Sequence, residues 1–257
     1  MTLFKGDVFI LKPYDNKYIH EKIKEYNASI SEGKIGKFEI KNKNNNSDYI
    51  DGYMYRKKGK INSNVLELHG PDNIWMRISP IEIESSYMFI KYAKGKVGVV
   101  GLGLGYVVQE LAKKSSVDEI IVYEMEKDVI DLYYSNFESN KKIKIINENA
   151  FKAKSQKFDY FYVDIYEYKL DTRVVDDYIK FNEIHKIGEY LFWGVEHFLL
   201  SCRYEEIVWV YIPELWMEIS KKIFVSLQEV NLLQYYKQLD EKVVSKVLAD
   251  FKEVLDY

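Results

Sequence analysis

The stretch VGVVGLGLGYVVQELA, residues 97–112, places three glycines between an apolar run and an amphipathic segment: Gly101, Gly103 and Gly105. The apolar run predicts a short strand, and Tyr106–Lys114 has the apolar spacing of a helix. Glycines at a strand-to-helix junction allow a sharp turn and let a ligand approach the backbone without interference from a Cβ atom. The helix that follows adds unpaired N–H groups and the positive end of its dipole. The segment therefore predicts a ligand-binding turn.

A carboxylate follows at the end of the next predicted strand, in the run EIIVYEME, residues 119–126. Glu124 stands 23 positions after Gly101. A carboxylate in this place can accept hydrogen bonds from both hydroxyls of a ribose. The glycine turn and Glu124 together point to a ligand that contains a nucleoside.

The spacing of the glycines separates two classes of nucleoside ligand. The G-x-G-x-x-G pattern of dinucleotide-binding proteins requires a glycine at position 106, which is tyrosine here. The closer G-x-G-x-G spacing resembles the first motif of class I S-adenosylmethionine-dependent methyltransferases, whose cofactor has no pyrophosphate to hold. We therefore favour S-adenosylmethionine over NAD, and a glycine turn with a purely structural role is the remaining alternative.

The wider pattern of the chain predicts its fold class. From residue 96 onward, apolar strands alternate with amphipathic helices, which is typical of an α/β fold with a mostly parallel sheet and helices on both faces. Residues 1–78 combine short strands with turn signals and predict a small β-meander, a β-rich extension. Residues 79–200 then form the core, and residues 201–257 predict a mainly helical tail.

A helix over residues 80–94 leads into this core. The sequence Ser79-Pro80-Ile81-Glu82 has the pattern of a capping box, with proline at the first helical position, and Gly95 ends the helix.

Residues 74–165 resemble the branch of the Rossmann-like class I methyltransferase fold that includes spermidine synthase. In that branch an N-terminal β-meander joins the core through a helix, which matches the organisation predicted here. The run VQELAKKSSVDEIIVYEMEKDVIDLY, residues 108–133, is similar to that family in order and spacing.

The resemblance implies roles for individual residues, with S-adenosylmethionine as the cofactor. The three glycines would lie under its methionine and ribose parts, Glu124 would bind the ribose, and Met125 would pack on the adenine. Asn149-Ala150 stands where the family usually has Asp-Ala, so Asn149 would bond the adenine amino group.

The resemblance also indicates an acceptor side. Asp164 ends the predicted fourth strand, where the family places a carboxylate that faces the acceptor. Asp164 and Tyr166 are therefore our candidates for orienting the acceptor or removing its proton. Further acceptor-side candidates come from the lead-in helix and the end of the fifth predicted strand: Tyr87, Trp193, Glu196 and His197. For each of these the alternative is a packing role.

Two departures from the family leave the acceptor unassigned. The acidic residue that spermidine synthases carry in the glycine-rich loop is Leu104 here, and their Tyr-His-Glu stretch is Tyr87-Met88-Phe89. The motif Asp/Asn-Pro-Pro-aromatic of some amino-group methyltransferases is also absent after Asp164. We favour a small-molecule acceptor. The alternatives are an aminopropyltransferase of the spermidine synthase type and a non-catalytic nucleoside-binding or assembly protein.

Composition restricts the partners. The chain has 257 residues, 47% of them hydrophobic, and a formal net charge of −3. This near-neutral charge argues against nucleic acid or an anionic membrane as an obligate partner, although the basic, aromatic hairpin around Tyr53–Lys60 keeps nucleic acid open. A homo-oligomer also stays open.

Cys202 is the single cysteine and the four histidines have no metal-like spacing, so we expect no metal site. The N-terminal residues lack the pattern of a signal peptide, because Lys5, Asp7 and Lys12 interrupt the apolar residues. The longest apolar stretch, near residues 190–202, is too short to span a membrane. These features predict a cytoplasmic protein.

Overall fold

The computed structural model describes residues 10–255 of the chain. In chain order its strands are β1 (Gly33–Ile35), β2 (Phe38–Lys43), β3 (Tyr49–Asp51), β4 (Arg56–Lys58), β5 (Val65–His69), β6 (Ile74–Arg77), β7 (Gly95–Val100), β8 (Val117–Glu124), β9 (Ile143–Asn147), β10 (Lys157–Val163) and β11 (Lys186–Phe192). Its α-helices are α1 (Asn16–Ser29), α2 (Pro80–Tyr92), α3 (Tyr106–Ala112), α4 (Lys127–Asn136), α5 (Arg173–Ile184), α6 (Val195–Ser201), α7 (Tyr204–Ile207), α8 (Glu214–Glu229) and α9 (Glu241–Leu255). Within residues 10–255 no helix has the length and apolar character needed to cross a membrane.

A parallel sheet with the strand order β9-β8-β7-β10-β11 forms the centre of the molecule. Successive residues of a strand point to opposite faces of the sheet. Residues 120–124 of β8 and 160–163 of β10 are all buried, so both faces of the sheet are covered. The predicted α/β fold with a parallel sheet is confirmed, and its topology is Rossmann-like.

The strand order reverses at β7. The chain moves outward from β7 through β8 and β9, and then returns to place β10 on the other side of β7. The backbone N–H of Asp164 continues the ladder between these two strands by donating to the Val100 carbonyl at 2.9 Å. Loops that leave neighbouring strands in opposite directions open a crevice at the carboxyl edge of the sheet.

An antiparallel sheet with the order β1-β2-β5-β6 and a separate hairpin of β3 and β4 precede the core. The predicted N-terminal β-meander is therefore present, but the extension also contains helix α1. Its buried residues Ile19, Ile23 and Tyr26 form a narrow apolar stripe at helical spacing. This helix was not predicted, because lysine, glutamate and asparagine surround the stripe and give the segment a polar composition.

Helix α2 confirms the predicted lead-in helix, but its predicted capping box is wrong. The Ser79 side chain makes no capping hydrogen bond. The Glu82 side chain is buried, 3% exposed, in the wall of a cavity. Tertiary packing of the first turn of α2 against the core thus takes precedence over local capping.

The end of the fifth core strand also differs from the prediction. Strand β11 ends at Phe192, and Gly194 adopts a left-handed conformation, φ +98°, that starts helix α6. Glu196 and His197 therefore lie on a helix and not at a strand end. Glycine tolerates this conformation where other residues are strained, which ends the strand here.

The C-terminal tail is helical, as predicted, and completes the core. Helix α8 packs on α6, and α9 packs on α5. The indole N–H of Trp216 donates to the Tyr190 carbonyl at 2.6 Å. Phe251 stacks on Phe192 with ring centroids 5.9 Å apart. The tail therefore covers the β11 side of the sheet.

Buried carboxyl groups join the β3–β4 hairpin to the core. Glu84 on α2 accepts hydrogen bonds from the Tyr53 backbone N–H at 2.7 Å and from the Tyr55 hydroxyl at 2.8 Å. Glu196 on α6 accepts a bond from the Tyr53 hydroxyl at 3.2 Å. Burial raises the pKa of Glu84 and of Glu196 to about 7. Burial of these two carboxyl groups therefore lowers the free energy of unfolding more at high pH, where they ionise, than at low pH.

Replacement of Glu196 by glutamine should change how stability depends on pH. A carboxyl group whose pKa is higher in the folded than in the unfolded state binds more protons when folded, so its contribution to stability falls as pH rises from about 4.5 to about 7. Glutamine does not titrate, so Glu196→Gln lacks this loss. The difference in free energy of unfolding, variant minus wild type, should therefore be larger at about pH 8 than at about pH 5 by on the order of 2 kcal/mol. Urea unfolding at both pH values measures this difference.

The exposed Glu253 on α9 supplies the control. Glu253→Gln should differ from wild type by the same small amount at both pH values. An equal difference at both pH values for Glu196→Gln would show that Glu196 does not titrate as described.

Candidate functional site

A cavity of about 420 Å³ lies at the carboxyl ends of β7, β8 and β10, where the strand order reverses. Its wall consists of the glycine turn after β7, the end of β8 and the segments 148–151 and 164–168. Residues 73–76, at and before β6, close the cavity from the N-terminal sheet. A volume of this order is typical of small-molecule sites.

Two of the predicted glycines line this cavity. At both positions, neighbouring parts of the chain leave no room for a Cβ atom. Gly101 has φ +97°, and a Cβ atom there would lie 2.3 Å from the Asp164 carbonyl oxygen. Gly103 has φ +52°, and its Cβ atom would lie 2.4 Å from Met76 Sδ. The third glycine, Gly105, starts helix α3 and lies outside the cavity wall. The turn is therefore pressed against β6 and β10 as well as open to a ligand.

Glu124 lines the cavity, and its carboxylate binds backbone N–H groups of the glycine turn and of the segment after β8. One carboxylate oxygen accepts the Leu102 N–H at 3.0 Å, and the other accepts the Glu126 N–H at 2.8 Å. Burial raises the pKa of Glu124 despite these bonds. Each carboxylate oxygen keeps a further lone pair, so the predicted bonds to a ribose remain available.

Met125 and Asn149 both belong to the wall at the β8–β9 end. The Met125 side chain is 62% exposed, so an apolar surface is available at the cavity wall. Asn149 Oδ1 accepts the Phe151 N–H at 3.0 Å, and its second lone pair remains available for an adenine amino group. The buried Ala150 completes this end.

Asp164 and Tyr166 also line the cavity, with different environments. Burial raises the pKa of Asp164 to about 7. The Tyr166 hydroxyl donates to Asp177 Oδ2 at 3.1 Å, and burial raises its pKa far above the ordinary value. Asp164 therefore remains the better candidate for taking a proton from an acceptor.

The other acceptor-side candidates lie outside this cavity. Tyr87 packs edge-on against Tyr18, 5.9 Å between ring centroids, where α2 meets α1. Trp193 and His197 line a second cavity of about 190 Å³. The Nε2–H of His197 donates to the Lys237 carbonyl at 2.6 Å, and burial lowers its pKa to about 4. Glu196 is buried behind Tyr53, so these four residues have packing or structural contacts.

Several residues of the wall were not predicted from the sequence. Trp75 and Met76 reach it from β6, Glu82 from α2, and Ile165 and Tyr168 from the loop after β10. The sequence predicted only short strands and turns for the segment that contains Trp75. The capping-box pattern predicted that Glu82 caps helix α2, and it did not predict a place in the cavity wall. The placement of Trp75, Met76 and Glu82 depends on how the N-terminal sheet and α2 dock on the core.

The charge of the wall is one-sided. Among the described residues that line the cavity there is no lysine, arginine or histidine, whereas six are acidic: Glu82, Glu124, Glu126, Glu148, Asp164 and Glu167. No three potential metal ligands of the His, Cys, Asp and Glu types cluster anywhere within residues 10–255. The cavity therefore favours a ligand with positive charge over one with phosphates.

The basic hairpin of β3 and β4 lies in another part of the fold, and its cations are partly paired. Arg56 forms an ion pair with Asp51 at 3.3 Å and stacks over Tyr49, and Lys60 pairs with Asp48 at 3.0 Å. These contacts describe a solvated hairpin and do not extend the cavity.

No protein-family model matches the chain, and no curated protein matches it. Solved structures with partial similarity exist. Spermidine synthase from Thermotoga maritima is 16% identical with a TM-score of 0.38, over 61% of this chain and 52% of that one. The ribosomal protein L11 methylase from Lactobacillus delbrueckii subsp. bulgaricus is 14% identical with a TM-score of 0.38, over 59% and 69% of the two chains.

A third similar structure is an S-adenosylmethionine-dependent methyltransferase from Clostridium acetobutylicum, 15% identical with a TM-score of 0.34, over 42% of this chain and 48% of that one. The chain thus spans about half the length of the spermidine synthase and the clostridial protein. Similarities at this level identify neither a family nor an activity. The fold follows from the strand order itself.

Proposed function

We propose that this protein is an S-adenosylmethionine-dependent methyltransferase that acts on a small-molecule acceptor. The observation that carries the proposal is a single cavity, at the reversal of the strand order, that combines the glycine turn, the Glu124 carboxylate and the exposed Met125 within an acidic wall. Ligands of open α/β sheets bind at this reversal.

The charge of the wall distinguishes between nucleoside ligands. NAD and related dinucleotides carry a pyrophosphate, and neither lysine nor arginine from the described residues lines the cavity to neutralise it. S-adenosylmethionine carries a positive sulfonium and no phosphate, which suits an acidic wall in which only Glu126 and Glu167 are paired with lysines of the described chain. The same wall would repel the phosphate backbone of a nucleic-acid acceptor, so a small-molecule acceptor fits better.

The residues of the wall fit the parts of this cofactor. Glu124 would hold the ribose through its remaining lone pairs, Met125 would cover the adenine, and the glycine turn would face the methionine part. When bound, the cofactor supplies an electrophilic methyl group. The chain then has to orient the acceptor, exclude water and take up a proton, for which Asp164 is the candidate.

Removal of the Glu124 charge should weaken binding of S-adenosylhomocysteine. A ribose hydroxyl bonded to a carboxylate forms a stronger hydrogen bond than one bonded to an amide. The amide of Glu124→Gln also replaces one of the two acceptors that hold the Leu102 and Glu126 N–H groups. We expect the dissociation constant to rise about tenfold or more, measured by titration calorimetry.

Glu148 provides a matched control, because it is another glutamate of the same wall. Glu148→Gln should change the dissociation constant less than about threefold. If wild type does not bind S-adenosylhomocysteine, the proposed function is wrong. If Glu124→Gln binds as well as wild type, the ribose assignment is wrong.

An added methyl group at Gly101 should disrupt the turn. In Gly101→Ala the Cβ atom would collide with the Asp164 carbonyl at a positive φ that alanine rarely adopts. We expect the free energy of unfolding to fall by about 2 kcal/mol or more and binding of S-adenosylhomocysteine to be lost. Chemical denaturation and calorimetry measure the two effects.

Gly33 is the matched glycine, since a Cβ atom added there on strand β1 would meet nothing within 4 Å. Gly33→Ala should keep both stability and binding close to wild type. Normal binding by Gly101→Ala would contradict the tight contact between the turn and β10.

The group found on the product distinguishes the proposed methyl transfer from aminopropyl transfer. With S-adenosylmethionine labelled in its methyl group, label should pass to a small-molecule acceptor from a cell extract, detected by mass spectrometry. A product formed only from the decarboxylated cofactor would instead identify an aminopropyltransferase.

A further inference from the structure

Two carboxyl groups of the cavity wall have no partner in the described part of the chain. Glu82 lies in the first turn of α2, and Asp164 directly follows β10. Within residues 10–255, neither side chain takes part in a hydrogen bond or an ion pair, and one oxygen of Glu82 is completely buried without a donor. Buried carboxylates are normally paired with a cation or accept hydrogen bonds. The corner of the cavity that Glu82 and Asp164 form therefore lacks a positively charged partner among the described residues.

The two groups are close enough to affect each other. Burial, and then the neighbouring Asp164, raise the pKa of Glu82 well above its ordinary value. The buried hydroxyl of Tyr162 is also unpartnered; burial raises its pKa first, and both carboxyl groups raise it further. Repulsion between two like charges in a buried place is relieved when a positive charge enters between them.

The position of the pair relative to the turn indicates which part of a ligand would reach it. Asp164 touches the glycine turn, because its carbonyl oxygen is the atom that a Cβ at Gly101 would meet. Glu124 lies across the same turn and binds the Leu102 N–H. A ligand held by its ribose at Glu124 would thus extend past Gly101 toward Asp164 and Glu82. In S-adenosylmethionine the group next to the ribose is the sulfonium.

We infer that Glu82 and Asp164 form a subsite for the positively charged sulfonium, through which the protein prefers S-adenosylmethionine to the neutral S-adenosylhomocysteine. This inference rests on the proposed function. It gives Glu82 a part in specificity that a capping residue would not have.

The subsite has a consequence for product release. Methyl transfer moves the electron pair of the methyl–sulfur bond to sulfur, while the acceptor forms the new bond to the methyl carbon. The sulfur then becomes neutral, and the carboxyl pair loses the charge it was binding. The product should therefore dissociate more readily than the cofactor.

The ratio of two dissociation constants tests the inference. Titration calorimetry at about pH 8 should show that wild type binds S-adenosylmethionine about tenfold more tightly than S-adenosylhomocysteine, the size expected for one charge-assisted contact. Glu82→Gln and Asp164→Asn should each reduce this preference to less than about threefold. The effect should fall on the charged ligand, since both ligands share the contacts at Glu124 and Met125.

Glu148→Gln is the matched control, because it removes a charge from the same wall away from this corner. It should retain the preference of wild type. Thermal unfolding checks that the variants fold, and the amides should not lower the midpoint, since neither carboxyl group has a hydrogen bond or an ion pair to lose within residues 10–255.

The outcomes separate the two proposals. If wild type binds neither ligand, the proposed function fails and the subsite fails with it. If both ligands bind and the preference is unchanged in Glu82→Gln and Asp164→Asn, only the subsite is overturned. An equal loss of preference in Glu148→Gln would also overturn it, because the effect would then come from the overall charge of the cavity.

Discussion

Strand β7 pairs in parallel with β8 on one side and with β10 on the other, and the candidate site depends on this pairing. Because the chain leaves β7 toward β8 and returns at β10, the loops after β7 and β10 separate and leave a crevice between them. The same pairing brings Asp164 against Gly101, so a glycine is required in the turn. Backbone geometry thus creates both the cavity and its tightest constraint.

The N-terminal segment converts this crevice into a cavity. Strand β6 places Met76 against the glycine turn, where the Leu104 N–H donates to Met76 Sδ at 3.0 Å, and Trp75 also lines the cavity. Helix α2 brings Glu82 to the same wall and, two residues later, uses Glu84 to hold the β3–β4 hairpin. One helix therefore fixes the hairpin to the core and supplies an acidic residue to the cavity.

Buried carboxyl groups serve two purposes in this fold. Glu84 and Glu196 accept hydrogen bonds from tyrosines and are satisfied within the protein. Glu82 and Asp164 face the cavity and have no such donors among residues 10–255. The positively charged ligand that we propose for the cavity would supply the partner that these two groups lack within the described chain.

The sequence by itself determined the parallel α/β core, the glycine turn and the positions of Glu124, Met125, Asn149 and Asp164. These features are local: each residue sits at or just after the end of a strand whose apolar pattern is readable, and the carboxyl ends of parallel strands meet at one edge.

Tertiary structure alone decided the rest of the candidate site. Trp75 and Glu82 enter the wall because separate elements dock there, whereas His197 is held away from it by helix α6. No local pattern encodes such docking, since it depends on how buried faces far apart in the chain pack together.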